Sequence, residues 1–163
     1  MKVIHDFRGI GKKNCGIRHS AIFYLKALTK EKSNDYYLFN SGTEDIIKNA
    51  LKKNNSNFLF TKIGKYSILN SIYFPLKFGF KANIISYHSS LPLFYFNSGN
   101  STFICHDLFS IDDPNFFNKY SIFKKKLAIS YYSLLLNYSL NKASRVIVPS
   151  PYVKKTILAR YHI

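Results

Sequence analysis

The stretch "KVIHDFRGIGKKNCGIRHSAIFYLKALTK", residues 2–30, contains a short apolar run, a basic loop rich in glycine, and a longer periodic segment. The apolar run at residues 2–7 predicts a β-strand. Residues 17–30 carry apolar side chains at helical spacing and predict an amphipathic helix. One face of that helix is made of Ile17, Ala21, Tyr24, Leu25 and Leu28. The stretch therefore predicts a strand that is joined to a helix by a glycine-rich loop.

The same alternation continues along the rest of the chain. Further strands are predicted at residues 36–40, 57–63, 83–88, 101–107 and 145–150, and further helices at residues 43–53, 66–74, 119–143 and 151–161. Regular alternation of this kind indicates parallel strands joined by right-handed crossovers. We therefore predict an α/β fold with a doubly wound, mainly parallel, Rossmann-like sheet, in a single domain that covers residues 1–163.

Two of the predicted helices carry specific expectations. Pro75 should bend or end the helix that begins at residue 66, because proline has no N–H to donate. The helix at residues 119–143 has an apolar stripe, which we expect to pack in the core rather than to hold a cofactor. Its members are Phe123, Leu127, Tyr131, Leu134, Leu135 and Tyr138.

The composition of the chain is strongly basic. Its 163 residues include 24 Lys or Arg and 8 Asp or Glu, which gives a formal net charge of +16. Such a charge favours anionic partners such as nucleic acid, anionic membranes or phosphorylated substrates. The abundance of Lys, Asn, Ile, Phe and Tyr is also what an AT-rich genome would encode, so both explanations stay open. With 47% hydrophobic residues, the chain is not expected to be disordered.

Cysteine usage and hydropathy predict a cytoplasmic, soluble protein. Cys15 and Cys105 stand in unrelated contexts without a CxxC spacing, which predicts a reducing compartment and no structural zinc. No secretory signal precedes the first strand. Residues 82–105 contain no charged side chain, but Pro92 and Gly99 interrupt them, which favours two buried strands over a membrane span.

Candidate functional residues follow the predicted strands. In doubly wound sheets, ligands bind outside the carboxyl ends of the strands. In the first such loop, Asn14 and Ile17 occupy positions at which the dinucleotide and P-loop fingerprints require other residues. The loop is therefore either an anion site at a helix N-terminus or a plain turn.

Histidines and carboxylates follow the later strands. His106 and Asp107 come directly after one strand, and His88 after another, where each histidine could bind a substrate or could be tied to the backbone. Asp112 and Asp113 could hold a divalent metal beside a nucleotide, but turn or cap residues are more common in such a context.

Several motifs together resemble one family. Asp6, Arg8 and Gly9 match a "DxRG" turn, Gly16-Ile17 and "YLKAL" match the loop and helix that follow, and "YHSSLPLF" at residues 87–94 matches "FHSPxxxLPL". The segments "STFICHDLFSIDDPNFF" at residues 101–117 and "KASRVIVPSPYVKKTIL" at residues 142–158 match in the same order and spacing. The chain resembles the N-terminal, acceptor-side domain of a family-4 glycosyltransferase of the GT-B fold.

The resemblance implies a sugar transfer from a nucleotide-sugar donor to a glycan or lipid-linked glycan, with retention at the anomeric carbon and no required metal or other cofactor. It implies that His106 and Asp107 are catalytic. Gly11, Gly16 and Ile17 would lie beside the donor diphosphate, and Arg8, His88 and Ser89 would bind the acceptor. The product would belong to surface polysaccharide biosynthesis.

The resemblance also implies a second, nucleotide-binding domain, whose motifs do not occur in these 163 residues. We expect the chain to be inactive alone, either as a truncated product, or as a fragment, or as a subunit to which that domain binds as a partner in trans. The basic and aromatic residues 65–81 could rest on the inner face of a membrane, or could form an ordinary packed helix. The alternative function is a non-catalytic module that binds nucleic acid or an anionic membrane; nucleic acid is disfavoured because no recognition motif is present.

Overall fold

The computed structural model describes residues 3–11, 15–31, 34–51, 57–79, 82–88, 91, 101–106, 108, 113 and 120–161. Strands and helices alternate along the chain over most of this length. In order, they are β1 (Val3–Asp6), α1 (Gly16–Leu28), β2 (Tyr36–Asn40), α2 (Glu44–Leu51), β3 (Phe58–Thr61), α3 (Asn70–Phe78), β4 (Asn83–Ser86), β5 (Ser101–Ile104), α4 (Ile122–Lys142), β6 (Arg145–Ile147) and α5 (Pro151–Arg160).

The strands form one six-stranded sheet in the order β3-β2-β1-β4-β5-β6, and every adjacent pair is parallel. This is the strand order of a doubly wound Rossmann-type sheet, so the predicted fold class is confirmed. The chain leaves β1 toward β2 on one side, and β4 lies on the other side of β1. The order of the strands thus reverses between β1 and β4.

The side chains of the strands alternate between two apolar layers, as parallel strands buried on both faces require. Phe7, Tyr37 and Phe39 pack with Leu25 of α1 and Ile47 of α2. The opposite layer joins strand residues to α3, α4 and α5, and includes Ile4, Leu38, Ile84, Phe103, Phe74, Leu136, Leu140 and Ile157. Each layer closes one face of the sheet.

Helix α3 differs from the prediction at both ends. It begins at Asn70 rather than at residue 66, and it continues through Pro75 to Phe78. Phe74 is fully buried, and its ring centre lies 5.6 Å from that of Phe78. Packing on both sides of Pro75 holds the helical turn against a cost of about 3 kcal/mol for proline in a helix interior.

The expectation that the whole apolar stripe of α4 packs in the core was wrong. Phe123, Leu127 and Leu134 are 78%, 62% and 56% exposed, whereas Leu135 is buried. A helix of 21 residues is about 32 Å long, but strands of three to five residues span only about 10–17 Å. The sheet therefore supports only the C-terminal part of α4.

None of the helices in the described part of the chain is long and apolar enough to cross a lipid bilayer.

Candidate ligand-binding site at the carboxyl edge of the sheet

The carboxyl ends of β1 and β4 meet where the strand order reverses. Asp6 stands opposite Ser86 in the register of the two strands, and the backbone N–H of Tyr87 donates to the carbonyl of Asp6 at 3.0 Å. The segments that follow, Arg8–Gly11 and Tyr87–His88, therefore leave the sheet side by side. In open α/β sheets this position is the crevice in which ligands bind.

Gly9 permits the close approach of these two segments. A Cβ atom at Gly9 would lie 3.0 Å from the carbonyl oxygen of Tyr87 and 3.2 Å from Cβ of His88. Backbone and a short side chain give way only at a cost, so any side chain at this position would push the two segments apart. The sequence pattern indicated a glycine-rich turn but not which of its glycines is sterically required.

Two further glycines, Gly11 and Gly16, lie on either side of the segment that leads into α1. No atom of a described residue lies within 4 Å of a Cβ built at Gly11 or at Gly16. Cys15 precedes the helix in an extended conformation, and its side chain makes no capping hydrogen bond to a described residue. The first turn of α1 contains Arg18 and no acidic residue. The first N–H groups of a helix and its positive dipole end favour an anion at such a position.

Beneath the crevice lies a buried charged cluster formed by Asp6, Arg8 and His88. The Arg8 guanidinium donates to both carboxylate oxygens of Asp6, from Nε at 2.9 Å and from Nη2 at 2.6 Å. Nε2 of His88 lies 3.0 Å from Oδ2 of the same carboxylate. The three residues are at most 1% exposed. We call them the Asp6 cluster.

Electrostatics fix the charge states in the Asp6 cluster. Burial alone would raise the pKa of Asp6, but Arg8 and His88 outweigh burial and hold the pKa of that carboxyl well below its ordinary value. Burial lowers the pKa of His88, and the charges of Lys65 and Arg8 add to this, although Asp6 partly opposes them. His88 is therefore neutral at pH 7. Because ionised Asp6 can only accept, Nε2 of His88 carries the proton.

The buried Arg8 side chain also makes hydrogen bonds outside the Asp6 cluster. Nη1 of its guanidinium donates to Oδ1 of Asn70 at 2.7 Å and to the carbonyl of Ile63 at 3.0 Å, and the side chain is 1% exposed. These contacts tie the end of β1 to the segment before α3. That Arg8 binds an acceptor stays a prediction. Its hydrogen bonds in the structure hold the end of β1 in position.

Asn70 was missed at the sequence level. It is 1% exposed, and its side-chain N–H groups donate to the carbonyls of Gly64 and Lys65 at 3.0 Å and 3.1 Å. In a chain rich in asparagine, nothing in the local pattern distinguishes this one. Only its meeting with Arg8 in space reveals its role.

Aromatic rings flank His88 on the α3 and α4 side. The ring of Tyr66 stands edge-to-face with His88 at 6.0 Å and with Tyr132 at 4.8 Å. The hydroxyl of Tyr131 donates to the carbonyl of Tyr66, and Nζ of Lys65 lies 4.7 Å from the centre of the Tyr66 ring. Burial, with the neighbouring tyrosines, raises the pKa of Tyr132 to about 12, so this phenol stays neutral. This side of the site combines aromatic surface with the cation of Lys65.

His106 lies at the end of the neighbouring strand, β5. The N–H of Cys105 donates to the carbonyl of Ile147 at 2.8 Å, which continues the sheet to the residue before His106. The His106 side chain is half-buried, whereas His88 is 1% exposed. Since β1, β4 and β5 are adjacent and parallel, the segments that begin at Phe7, Tyr87 and Cys105 share one edge of the sheet.

Some of the other predicted site residues lie outside the part of the chain that the structure describes. Asp107, Ser89 and Asp112 lie outside the described residues, and Asp113 is half-buried. Within the described residues, no three His, Cys, Asp or Glu side chains are grouped so that they could hold a metal ion. Ile17 is half-buried in the first turn of α1, with its Cγ2 3.8 Å from the Cβ position built at Gly9.

Comparisons with protein-family models, with curated proteins and with solved structures gave no match for this chain.

Proposed function

We propose that this chain forms the acceptor-side wall of a retaining glycosyltransferase, which moves a sugar from a nucleotide-sugar donor to a glycan or lipid-linked glycan in surface polysaccharide biosynthesis. The observation that carries the proposal is the shared edge of β1, β4 and β5, to which the N-terminus of α1, a buried neutral histidine and a half-buried histidine all belong. The sequence motifs that resemble glycosyltransferases fall on these same segments.

On this proposal, the glycine loop receives the donor diphosphate. No described residue lies within 4 Å of a Cβ built at Gly11 or at Gly16, and the N-terminal dipole end of α1 would stabilise a negatively charged oxygen there. Arg18 adds a positive charge in the same turn. Charge that develops on the leaving diphosphate during transfer would be stabilised in the same way.

The two histidines take different parts in this proposal. We assign contact with the transferred sugar to His106, because it is the more accessible of the two. His88 forms the floor of the acceptor side, where Asp6 orients its ring and keeps the proton on Nε2. Tyr66 and Lys65 would then lie beside an acceptor that carries sugar and phosphate groups. Asp107 and Ser89 keep the catalytic and acceptor roles that the resemblance implies.

A complete site needs a second wall that holds the nucleotide, and we propose that a further domain, in the same chain or in trans, supplies it. Electrostatic stabilisation of a leaving diphosphate is strongest in a closed, water-excluded cleft. We also propose that the reaction takes place at the cytoplasmic face of a membrane, where lipid-linked acceptors are held.

The anion site of the glycine loop can be tested by NMR with glycine-selective ¹⁵N labelling, which reports on the seven glycines of the chain. Titration with UDP, GDP, UDP-glucose or GDP-mannose at millimolar concentration should shift the amide signals of Gly11 and Gly16. The signals of Gly42 and Gly79 should stay in place, since Gly42 follows β2 and Gly79 ends α3. Absence of shifts at Gly11 and Gly16 with all four nucleotides would overturn the proposal.

A pair of variants separates binding from folding. Gly16→Asp places a carboxylate at the helix N-terminus, which favours the helix but repels a diphosphate. Gly16→Ser adds a side chain of similar size without charge, and the Cβ atom of either variant meets no described residue within 4 Å. We expect Gly16→Asp to abolish the nucleotide-induced shift of Gly11 and Gly16→Ser to retain it. Equal responses from the two variants would contradict an anion site at this loop.

A further inference from the structure

Helix α3 and the turn before it expose a row of large apolar side chains. Ile68, Ile72 and Leu76 follow one another at intervals of four residues and are 58%, 61% and 82% exposed. Leu69, beside them, is 56% exposed. Side chains four residues apart share one helix face, so this row points in one direction while Phe74 fills the core. An amphipathic helix whose outer face is in contact with water would carry polar side chains at these positions.

The N-terminal two-thirds of α4 expose a second row. Phe123, Leu127 and Leu134 are more than half exposed, and so is Ile122. Within residues 121–134 no side chain is buried, and the buried residues of the helix begin at Leu135. Because α4 connects parallel strands, its N-terminus lies at the carboxyl edge of the sheet. The exposed part of α4 is therefore on the same edge as the crevice.

The two rows belong to neighbouring elements. The Tyr131 hydroxyl on α4 donates to the carbonyl of Tyr66 just before α3, and the rings of Tyr66 and Tyr132 are 4.8 Å apart. Both helices also pack on the same face of the sheet. We call the exposed residues of both rows, together with the lysines among them, the α3–α4 surface: Ile68, Leu69, Ile72, Leu76, Lys77, Ile122, Phe123, Lys124, Lys126, Leu127 and Leu134.

The charged side chains of the α3–α4 surface are all positive. Lys77, Lys124 and Lys126 are exposed among the apolar side chains, and Lys65 and Lys125 are half-buried nearby. Residues 57–79 and 120–161 contain no Asp or Glu at all. Positive charge beside exposed Phe, Ile and Leu is the composition of surfaces that insert at the boundary of an anionic bilayer.

From this charge complementarity we infer that the α3–α4 surface docks onto the headgroup region of an anionic lipid bilayer, with its apolar side chains entering the acyl boundary. Nucleic acid would be attracted to the lysines but would leave the eight exposed aliphatic and aromatic side chains of this surface in water. A second copy of the chain would bring lysine rows of like charge together with no carboxylate between them. A bilayer provides an acyl boundary for the apolar side chains and anionic headgroups for the lysines.

Docking in this way has a consequence for the substrate, which rests on the proposed function. The ring of Tyr66 stands against His88, and Tyr131 and Tyr132 of α4 contact Tyr66. A bilayer against the α3–α4 surface would therefore place lipid headgroups next to the acceptor side of the crevice. The structure thus favours a membrane-embedded, lipid-linked acceptor over a free glycan.

The chain contains no tryptophan, so a single introduced Trp reports its own environment. We expect the fluorescence of Phe123→Trp and Leu76→Trp to shift to the blue with vesicles in which about a third of the lipid is phosphatidylglycerol. Brominated acyl chains should quench both signals. Phe23→Trp on α1, at a site that is 70% exposed on the opposite face, should show neither effect. Equal quenching of Phe23→Trp would overturn the inference.

Co-sedimentation with vesicles tests the electrostatic and the apolar contributions to binding separately. Replacing phosphatidylglycerol by phosphatidylcholine should weaken binding at least about tenfold, and so should the double variant Lys124→Glu with Lys126→Glu. The double variant Phe123→Ser with Leu127→Ser should lose a similar factor. The matched control, Phe23→Ser with Lys26→Glu on α1, should bind within about twofold of the original chain, because α1 packs on the opposite face of the sheet.

Other occupants give different results. Vesicle binding that is insensitive to all α4 substitutions would overturn the inference. If the chain fails to bind vesicles and instead forms a dimer that Leu127→Ser dissociates, the surface binds a second copy of the chain. If it fails to bind vesicles and binds oligonucleotides tightly, with weaker binding for Lys124→Glu, the surface binds nucleic acid. The vesicles contain neither nucleotide sugar nor glycan. Vesicle binding without nucleotide-induced shifts at Gly16 would therefore leave docking intact and refute only the proposed transferase.

Discussion

Gly9 decides how closely the loops after β1 and β4 approach each other. Its missing Cβ would lie 3.0 Å from a backbone oxygen, which cannot move without disturbing β4. The close approach of the two loops therefore depends on the Cβ atom that Gly9 lacks. Gly11, two residues along the same loop, has no such restriction from the described residues.

We expect Gly9→Ala to lower the free energy of unfolding by about 1–3 kcal/mol, as overpacked sites do. Gly11→Ala should change it by less than about 0.5 kcal/mol. Urea denaturation of both variants measures the difference. Equal stability of the two variants would mean that the loops can separate without cost and that the close approach is not a constraint.

His88 provides a second test at the level of single residues, through the pH dependence of stability. Its pKa is lowered in the folded protein, so the unfolded chain binds its proton first as the pH falls. Stability should decrease from about pH 7.5 to pH 5, by up to about 1.4 kcal/mol per pH unit for this histidine. His5, whose pKa burial also lowers, contributes with the same sign. Asp6 stays ionised throughout this range.

Urea unfolding at several pH values measures this slope, and NMR titration of the histidine rings identifies its source. His88→Gln, which can still donate to Asp6, should reduce the slope. A ring signal of His88 that titrates at the ordinary value near 6.5 would contradict the assignment of a neutral, Asp6-bound histidine.

At the scale of elements, the helices differ in how their first turns are closed. Ser150 precedes α5 and accepts a hydrogen bond from the N–H of Val153 at 3.2 Å, while Pro151 occupies the first turn. Ser121 precedes α4, but its side chain makes no capping hydrogen bond to a described residue. The two serines look alike in sequence and differ in the structure.

We expect Ser150→Ala to cost about 1 kcal/mol of stability, the usual cost of losing a helix cap. Ser121→Ala should cost less than about 0.3 kcal/mol, since no capping bond to a described residue is lost. Thermal or urea unfolding gives both values. A larger loss for Ser121→Ala than for Ser150→Ala would show that the end of α4 is held in a way that these contacts do not describe.

The helices also show where local pattern and tertiary packing disagree. Proline normally ends a helix, yet α3 passes through Pro75 because Phe74 and Phe78 anchor the turn on either side. The apolar spacing of α4 indicated a fully packed helix, yet the sheet beneath it is too short to cover Phe123 and Leu127. Periodicity shows which residues share a face but not whether anything covers that face.

At the scale of the whole molecule, charge is distributed unevenly over the fold. Five of the eight acidic residues, Asp6, Glu31, Asp35, Glu44 and Asp45, lie in the first 45 residues. The face that carries α3, α4 and α5 therefore has lysine and arginine with few carboxylates to balance them. A field of this kind attracts an anionic surface to that face and orients the molecule as it approaches.

The sequence by itself determined the succession of strands and helices, the parallel sheet, and the positions of Gly16, His88 and His106 after strands. This was possible because apolar periodicity and strand–helix alternation are local properties, and parallel strands must end at one edge. Tertiary structure alone decided that Arg8 is buried against Asp6 and Asn70, and that the apolar row of α4 faces outward. Burial and ion pairing depend on which distant segments meet, and no local pattern carries that information.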